Sequence, residues 1–325
     1  MRILVVKLSS LGDLFHALPA VAQIKSTWNA EIHWVTQPAY RELVGCFEPV
    51  DRVIAFPRRD FTRNAGTFLR ELRRDRYDFV LDMQGLMKSA LVARAARARR
   101  RIGPSFHREG AGLLYQAIAG SRNKERHAVE ENLDFVDFLG MERSTPAFPV
   151  RWPEPRDLPD GLNIALLPCS RWVTKNWPPK YFVELCGKLP DAAHLHVFGG
   201  AEDAATGEAI CAGAERAVKN HCGKTSLIEL GGYLAAMDLV ITVDSGPMHM
   251  AAAAGTPVLA LFGPTEARRT GPYGAAHRIL SRAALACRPC FSRACKLPEA
   301  DIRCLRGISA GRVAAVAKEM LAAGG

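Results

Sequence analysis

One stretch bounds what this chain can fold into: Leu239 to Thr265. It opens on an apolar run, Leu239 to Val243, which reads as a buried parallel strand. Polar and turn-forming residues follow at once: Asp244, Ser245, Gly246 and Pro247. Met248 to Ala254 holds no β-branched residue and reads as a helix, which Gly255 can end. Thr256 to Phe262 is a second apolar strand, and Gly263-Pro264-Thr265 makes a turn. Strand, loop, helix, strand, loop is the repeat of an open α/β sheet. Such sheets bind ligands outside the carboxyl ends of their strands. Asp244, Ser245, Gly246 and Thr265 stand at those ends, and the free N–H groups of the following helix favour an anion there. An ordinary turn is the competing reading, because Asp and Gly fill such loops in many α/β proteins.

The rest of the chain repeats the alternation. Arg2 to Leu8 is strand-like, Ser9 to Asp13 a short loop, and Leu14 to Trp28 helical, with Pro19 expected to bend the helix or break its first turns. Asp13 thus sits at the end of the first strand beside a helix start. It reads as a helix cap or as a general base with His16 nearby, and the residues alone leave both open. One glycine at this loop is two short of a dinucleotide fingerprint. Strands are expected at Glu31 to Thr36, Asp51 to Phe56 and Tyr77 to Met83, helices at Asn64 to Arg76, Leu86 to Ala98 and His127 to Leu139. Arg99 to Gly103 is a short strand or a turn. Met141 to Gly161, with Pro146, Pro149, Pro153, Pro155 and Pro159, marks a domain boundary. A second α/β domain begins with the strand Leu162 to Leu167 and the loop PCSRWVTKNWP, Pro168 to Pro178. Pro179 to Leu189 and Ser226 to Ala236 are helical, and His194 to Phe198 is a strand ending at Gly199-Gly200-Ala201-Glu202-Asp203. An acid at that strand end can take a ribose diol or simply cap a turn.

At 325 residues the chain has room for two domains, and 48% hydrophobic with 23% charged residues is a globular composition. No apolar run is long enough to cross a bilayer. The start, MRILVVKLSSLGD, fits a strand better than a signal peptide, so the cytoplasm is the expected location. The net charge of +10 is concentrated in the first half. Arginines 58, 59, 63, 70, 73, 74 and 76 fall in one region, followed by 94, 97, 99, 100, 101 and 108. Such a face attracts nucleic acid, anionic lipid or a phosphorylated substrate. No compact nucleic-acid motif is present, and aromatic residues are not interleaved as a stacking platform requires. The nine cysteines are too few for a disulfide scaffold. Four of them, Cys287, Cys290, Cys295 and Cys304, cluster late. They read as a structural zinc or iron site, a disulfide under oxidising handling, or free thiols.

With these loops in hand, the chain resembles the bacterial lipopolysaccharide heptosyltransferases, glycosyltransferase family 9. The likeness runs from LSSLGD through QGLMKSA and the KNWP loop to DSGPMHMAAAAGTPVLALFGPT. The first two segments are most like the type that adds the first heptose, while the cysteine-rich segment is common in the type that adds the second. The resemblance implies the glycosyltransferase B fold, an α/β architecture of two Rossmann-like parallel-sheet domains facing across a cleft. Residues 1–150 would form the acceptor-binding domain, 151–161 a linker, and 162–325 the ADP-sugar donor-binding domain. It implies inverting transfer of L-glycero-D-manno-heptose from ADP-heptose to Kdo-lipid A or the inner core of lipopolysaccharide. On this resemblance no cofactor is expected for catalysis, and the enzyme is expected at the cytoplasmic face of the inner membrane as a peripheral protein; nucleic acid is not an expected partner. Carried residue by residue, the resemblance makes Asp13 the base and matches Lys175 to the lysine on the donor phosphates. Asp244 matches the aspartate on the donor sugar. Ser245, Gly246 and His249 fall in the same donor motif, Glu202 holds the ribose, and Ser170 and Thr174 are phosphate-loop donors. Arg58, Arg59, Arg63 and Arg108 match acceptor-binding loops, where arginine forks suit phosphate and carboxylate. The alternatives are a second-heptose or related family 9 transferase with another nucleotide sugar or acceptor, and a non-catalytic protein that binds nucleotides or anionic lipid.

Overall fold

The computed structural model describes every residue except Arg59, Asp60, Lys124, Ala283, Ala284, Glu299, Ala300 and Gly325. The chain divides into two compact units, Met1–Arg151 and Trp152–Gly325, each built on its own sheet.

The first unit carries strands β1 (Arg2–Val6), β2 (Glu31–Thr36), β3 (Arg52–Ala55), β4 (Tyr77–Asp82), β5 (Ala98–Pro104) and β6 (Ala117–Ala119). All pair in parallel, in the order β3-β2-β1-β4-β5-β6. Helices α1 (Leu11–Trp28), α2 (Arg41–Gly45), α3 (Phe61–Leu72), α4 (Met87–Ala95) and α5 (Ala128–Phe138) connect and cover them. Residues Ile3 to Val6 of β1 are all fully buried, as a strand covered on both faces requires. Phe68 and Leu72 of α3 and Val92 and Ala93 of α4 share one apolar cluster with Leu4, Val6 and Val80 of the sheet. α1 packs against α5.

Two expectations change here. α1 begins at Leu11, not Leu14, and runs through Pro19 unbroken. An interior proline costs about 3 kcal/mol. Full burial of Leu14, Phe15, Leu18, Val21 and Ile24, at roughly 1.5–3 kcal/mol each, outweighs it. α3 is displaced towards the N-terminus of the expected Asn64–Arg76 helix, because Asp75 leaves the helix to pair with Arg2 at 3.0 Å and Arg52 at 2.8 Å.

The second unit repeats the plan with β7 (Asn163–Leu167), β8 (His194–Val197), β9 (Val218–Asn220), β10 (Leu239–Val243), β11 (Val258–Phe262) and β12 (Arg278–Ser281). Their order is β12-β11-β10-β7-β8-β9, again all parallel. Its helices are α6 (Pro179–Cys186), α7 (Ala204–Gly213), α8 (Leu227–Ala235), α9 (Gly246–Ala253), α10 (Ala267–Thr270), α11 (Arg303–Arg306) and α12 (Ala310–Gly324). Val313 and Ala317 of α12 and Phe182 and Leu185 of α6 join the core beneath β7, β10 and β11. The proline-rich segment lies on α8. A Cβ on Gly231 would stand 2.0 Å from the Trp152 ring, so only glycine lets that ring in.

The two sheets share a topological consequence. β1 has β2 on one side and β4 on the other, and β7 has β8 and β10. Each first strand is therefore a switch point, where the loops at the carboxyl edge part to leave a crevice.

Candidate active site

At the first unit's switch point the loop after β1 carries Asp13. Ser10, not Asp13, is the N-cap of α1; Asp13 occupies the third helical position and closes a capping box. Its Oδ2 accepts from the Ser10 backbone N–H at 2.7 Å and the Ser10 hydroxyl at 2.8 Å. His16 Nδ1 lies 3.7 Å from Oδ1. The Asp13 side chain keeps 40% of its surface open. Burial pushes its pKa up, but His16, Lys7 and the Ser10 N–H together outweigh burial and hold the carboxyl below its ordinary range. Asp13 is thus an ionised, accessible carboxylate with one oxygen anchored.

Sequence reasoning missed the residues that hold this loop. Lys7 is buried and its Nζ donates to the Met83 carbonyl at 2.5 Å. Burial lowers its pKa, against the pull of Asp13, Asp82 and Glu131. From the loop after β4, Gln84 Oε1 accepts from the Leu8 and Ser9 N–H groups, both at 3.0 Å. Buried Asp82 accepts from Gln84 N, Gly85 N and the Tyr115 hydroxyl, the last at 2.7 Å. Burial raises its pKa despite these bonds. Gly85 has φ +71, and a Cβ there would meet Pro104 at 2.8 Å, so this turn admits only glycine. Its carbonyl accepts the Arg108 N–H at 2.8 Å, which ties the Arg108 loop to the switch point. Arg108 is exposed. Arg58, just beyond β3, and Arg63, in the first turn of α3, are exposed at the same edge. Arg59 lies outside the described residues.

In the second unit three strand-end loops converge. Lys175, from a single 3-10 turn in the loop after β7, places Nζ 2.7 Å from Asp244 Oδ2 at the end of β10. Thr265, after β11, donates its hydroxyl to the same oxygen at 2.5 Å. Both ionic side chains are largely enclosed, with 16% of Lys175 and 7% of Asp244 exposed. Lys175 Nζ also stands 4.7 Å over the Trp172 ring. Ser245 is the N-cap of α9, Gly246 its first residue, and His249 is buried in its first turns. Ser170 is half-buried, its N–H donated to Asn176. The Thr174 hydroxyl donates to the Ser292 carbonyl at 2.8 Å, which braces the loop. Glu202 is exposed in the turn after β8.

The late cysteines serve this edge in an unexpected way. Among the described residues no group of three or more His, Cys, Asp or Glu can hold a metal. Cys287 and Cys290 are exposed free thiols. The Cys295 thiol donates to the Asp301 carbonyl at 3.2 Å, and among the described residues the four thiols are not gathered as a zinc or iron centre requires. Their segment braces the loop after β11. Arg288 donates to the carbonyls of Gly263 and Thr265, Phe291 N donates to Pro264, and Arg293 stacks 5.0 Å from Trp172.

The family model for glycosyltransferase family 9 (heptosyltransferase) matches residues 66–300. Lipopolysaccharide heptosyltransferase 1 of Pseudomonas aeruginosa is 30% identical, covering 91% of this chain and 87% of its own. The protein of that name in Escherichia coli K12 is 28% identical over 84% of this chain and 91% of its own. Among solved structures, E. coli heptosyltransferase WaaC with ADP superposes with a TM-score of 0.81 at 26% identity, covering 98% of this chain and all of that one. E. coli ADP-heptose heptosyltransferase II, at 23% identity, shares the fold with a TM-score of 0.79 over 99% of both chains.

Proposed function

The chain belongs to glycosyltransferase family 9, the heptosyltransferases, and from that premise we propose that it transfers L-glycero-D-manno-heptose from ADP-heptose to Kdo-lipid A or the inner core of lipopolysaccharide, with inversion. The observation that carries the reading is the meeting of Lys175, Asp244 and Thr265 at one switch point, beside the start of α9. Lys175 and the first N–H groups of α9 suit the donor diphosphate. Asp244 suits the sugar hydroxyls, with Ser245, Gly246 and His249 beside it at the start of α9, and Glu202 suits the ribose.

Asp13 is the base in this reading. Its free oxygen takes the proton of the acceptor hydroxyl while that oxygen bonds the anomeric carbon and the bond from carbon to diphosphate breaks. The negative charge released on the ADP side is met by Lys175. Arg58, Arg59, Arg63 and Arg108 bind acceptor phosphate and carboxylate. No helix among the described residues is long and apolar enough to cross a membrane; a lipid acceptor would be met peripherally, at the cytoplasmic face of the inner membrane.

The test is mass-resolved turnover of ADP-heptose with Kdo-lipid A. A product heavier by one heptose supports the reading, and intact ADP-heptose with every core acceptor tried removes it. A second-heptose activity is the alternative, and a panel of acceptors with and without the first heptose separates the two.

A further inference from the structure

At the opposite, amino-terminal edge of the first unit's sheet lies a cavity of about 780 Å³. It forms where α3 and α4 end and β4 and β5 begin, roughly 20 Å from the Asp13 edge at 3.3 Å per strand residue. Six arginines line it, Arg73, Arg76, Arg94, Arg97, Arg99 and Arg101, against one acid, Asp78. The neighbouring acids are engaged elsewhere. Asp75 holds Arg2 and Arg52, Glu71 holds Arg52, and Glu31 holds Arg2. Two of the arginines have a structural task. Arg73 donates to the Ala95 carbonyl at 2.9 Å, and Arg101 to those of Ala93 and Ala96 at 3.1 and 2.9 Å, satisfying the end of α4 and the residue after it. Arg99 approaches Asp78 only to 3.8 Å with 86% of its side chain in water. Among the described residues Arg76, Arg94 and Arg97 have no acidic partner. Burial first, and then the charge of Arg94, pull the pKa of Arg101 down.

We propose that this cavity binds a phosphate-bearing polyanion, held by Arg76, Arg94, Arg97 and Arg99. Guanidinium forks match phosphate oxygens in pairs, and a cavity of this volume lies in the range of small-ligand sites. The chemistry is shared by a free polyphosphorylated solute and an anionic lipid headgroup. The site is separate from the donor loops of the second unit and adds to the proposed transferase reading.

The experiment titrates tripolyphosphate into the full-length protein by calorimetry, with ADP saturating so that the donor loops are filled. Flotation with phosphatidylglycerol vesicles runs in parallel. The Arg94→Ala/Arg97→Ala double variant is compared with Arg312→Ala, an exposed arginine on α12 of the second unit, which removes the same kind of charge from a residue that does not line the cavity. Tripolyphosphate binding that weakens at least tenfold in the double variant and holds in Arg312→Ala supports the site with a free solute as ligand. Vesicle binding with the same dependence, without tripolyphosphate binding, supports it with a headgroup. Binding of neither probe by the wild type, or equal binding by wild type and double variant, overturns it. Arg97→Glu alone repeats the test should the double variant not fold.

Discussion

The two switch points answer the same topology with opposite treatments of a carboxylate. Asp13 is anchored through one oxygen by Ser10 and leaves two-fifths of its side chain open. Asp244 is enclosed, its Oδ2 shared by Lys175 and Thr265. An open, ionised oxygen can exchange a proton with an incoming hydroxyl. An enclosed carboxylate already shared by a lysine and a hydroxyl is instead a preformed charge pattern for a ligand that carries both phosphate and hydroxyl groups. The lysines differ in the same sense: Lys7 is buried behind Asp13 and bonded to a backbone carbonyl, while Lys175 pairs with Asp244 and lies over the Trp172 ring. In the proposed reading, this difference corresponds to chemistry in the first unit and donor binding in the second.

The sharpest way to break this division is Asp13→Asn. It removes the proposed base and keeps the shape, so turnover is expected to fall by about 10²–10⁴ at saturating acceptor, the usual scale for a positioned acid or base. Near-wild-type turnover would return Asp13 to a helix-capping role. Lys175→Ala comes next. Loss of a charge-assisted bond, about 1.5–3 kcal/mol, weakens ADP-heptose binding by roughly 10–10², read by calorimetry with a dead-end acceptor. Gln84→Ala acts on the first loop only indirectly, by freeing the Leu8 and Ser9 N–H groups. It lowers kcat about tenfold, the scale of a slight misplacement, and leaves the KM for donor unchanged; a shift in donor KM would place Gln84 in the wrong unit's function.

The smallest effect concerns stability. His196 Nδ1 and His221 Nε2 stand 3.1 Å apart, and His196 Nε2 3.0 Å from Asn163 Oδ1, inside the second unit. Burial first, then nearby charges, push both pKa values down to about 4. The unfolded chain, with histidine near 6.5, binds more protons than the fold between those values. The stability contribution is therefore complete above the unfolded pKa and is lost as pH falls from about 6.5 towards 4. Thermal melting shows a fall of on the order of 2–4 °C or more across that window. His221→Phe, stacking on Phe198 in place of the imidazole, lowers the overall melting temperature and flattens the pH slope. An unchanged slope would locate the titration elsewhere.

Much of this was legible before any coordinates. β10, α9 and β11 follow from apolar runs and a glycine stop, because a strand buried on both faces must be apolar throughout. Asp13 and Asp244 stood out as polar residues at strand ends, and Lys175 through the resemblance carried by its KNWP loop. Other features depend on contacts the sequence does not order. β6 and β9 are three residues each, too short for periodicity to register. Lys7 and Gln84 look like an ordinary charged and an ordinary polar residue until the parallel pairing of β1 with β4 brings their loops together across the sheet. The late cysteines drew attention to their thiols, whereas Arg288 and the backbone of their segment carry the contact with Gly263, Pro264 and Thr265.

The division of labour is tested most directly by calorimetric titration of ADP into wild type, Asp13→Asn and Lys175→Ala side by side. The account predicts that Asp13→Asn binds ADP as the wild type does and that Lys175→Ala binds it at least tenfold more weakly. Equal weakening in both variants, or weakening confined to Asp13→Asn, would contradict it.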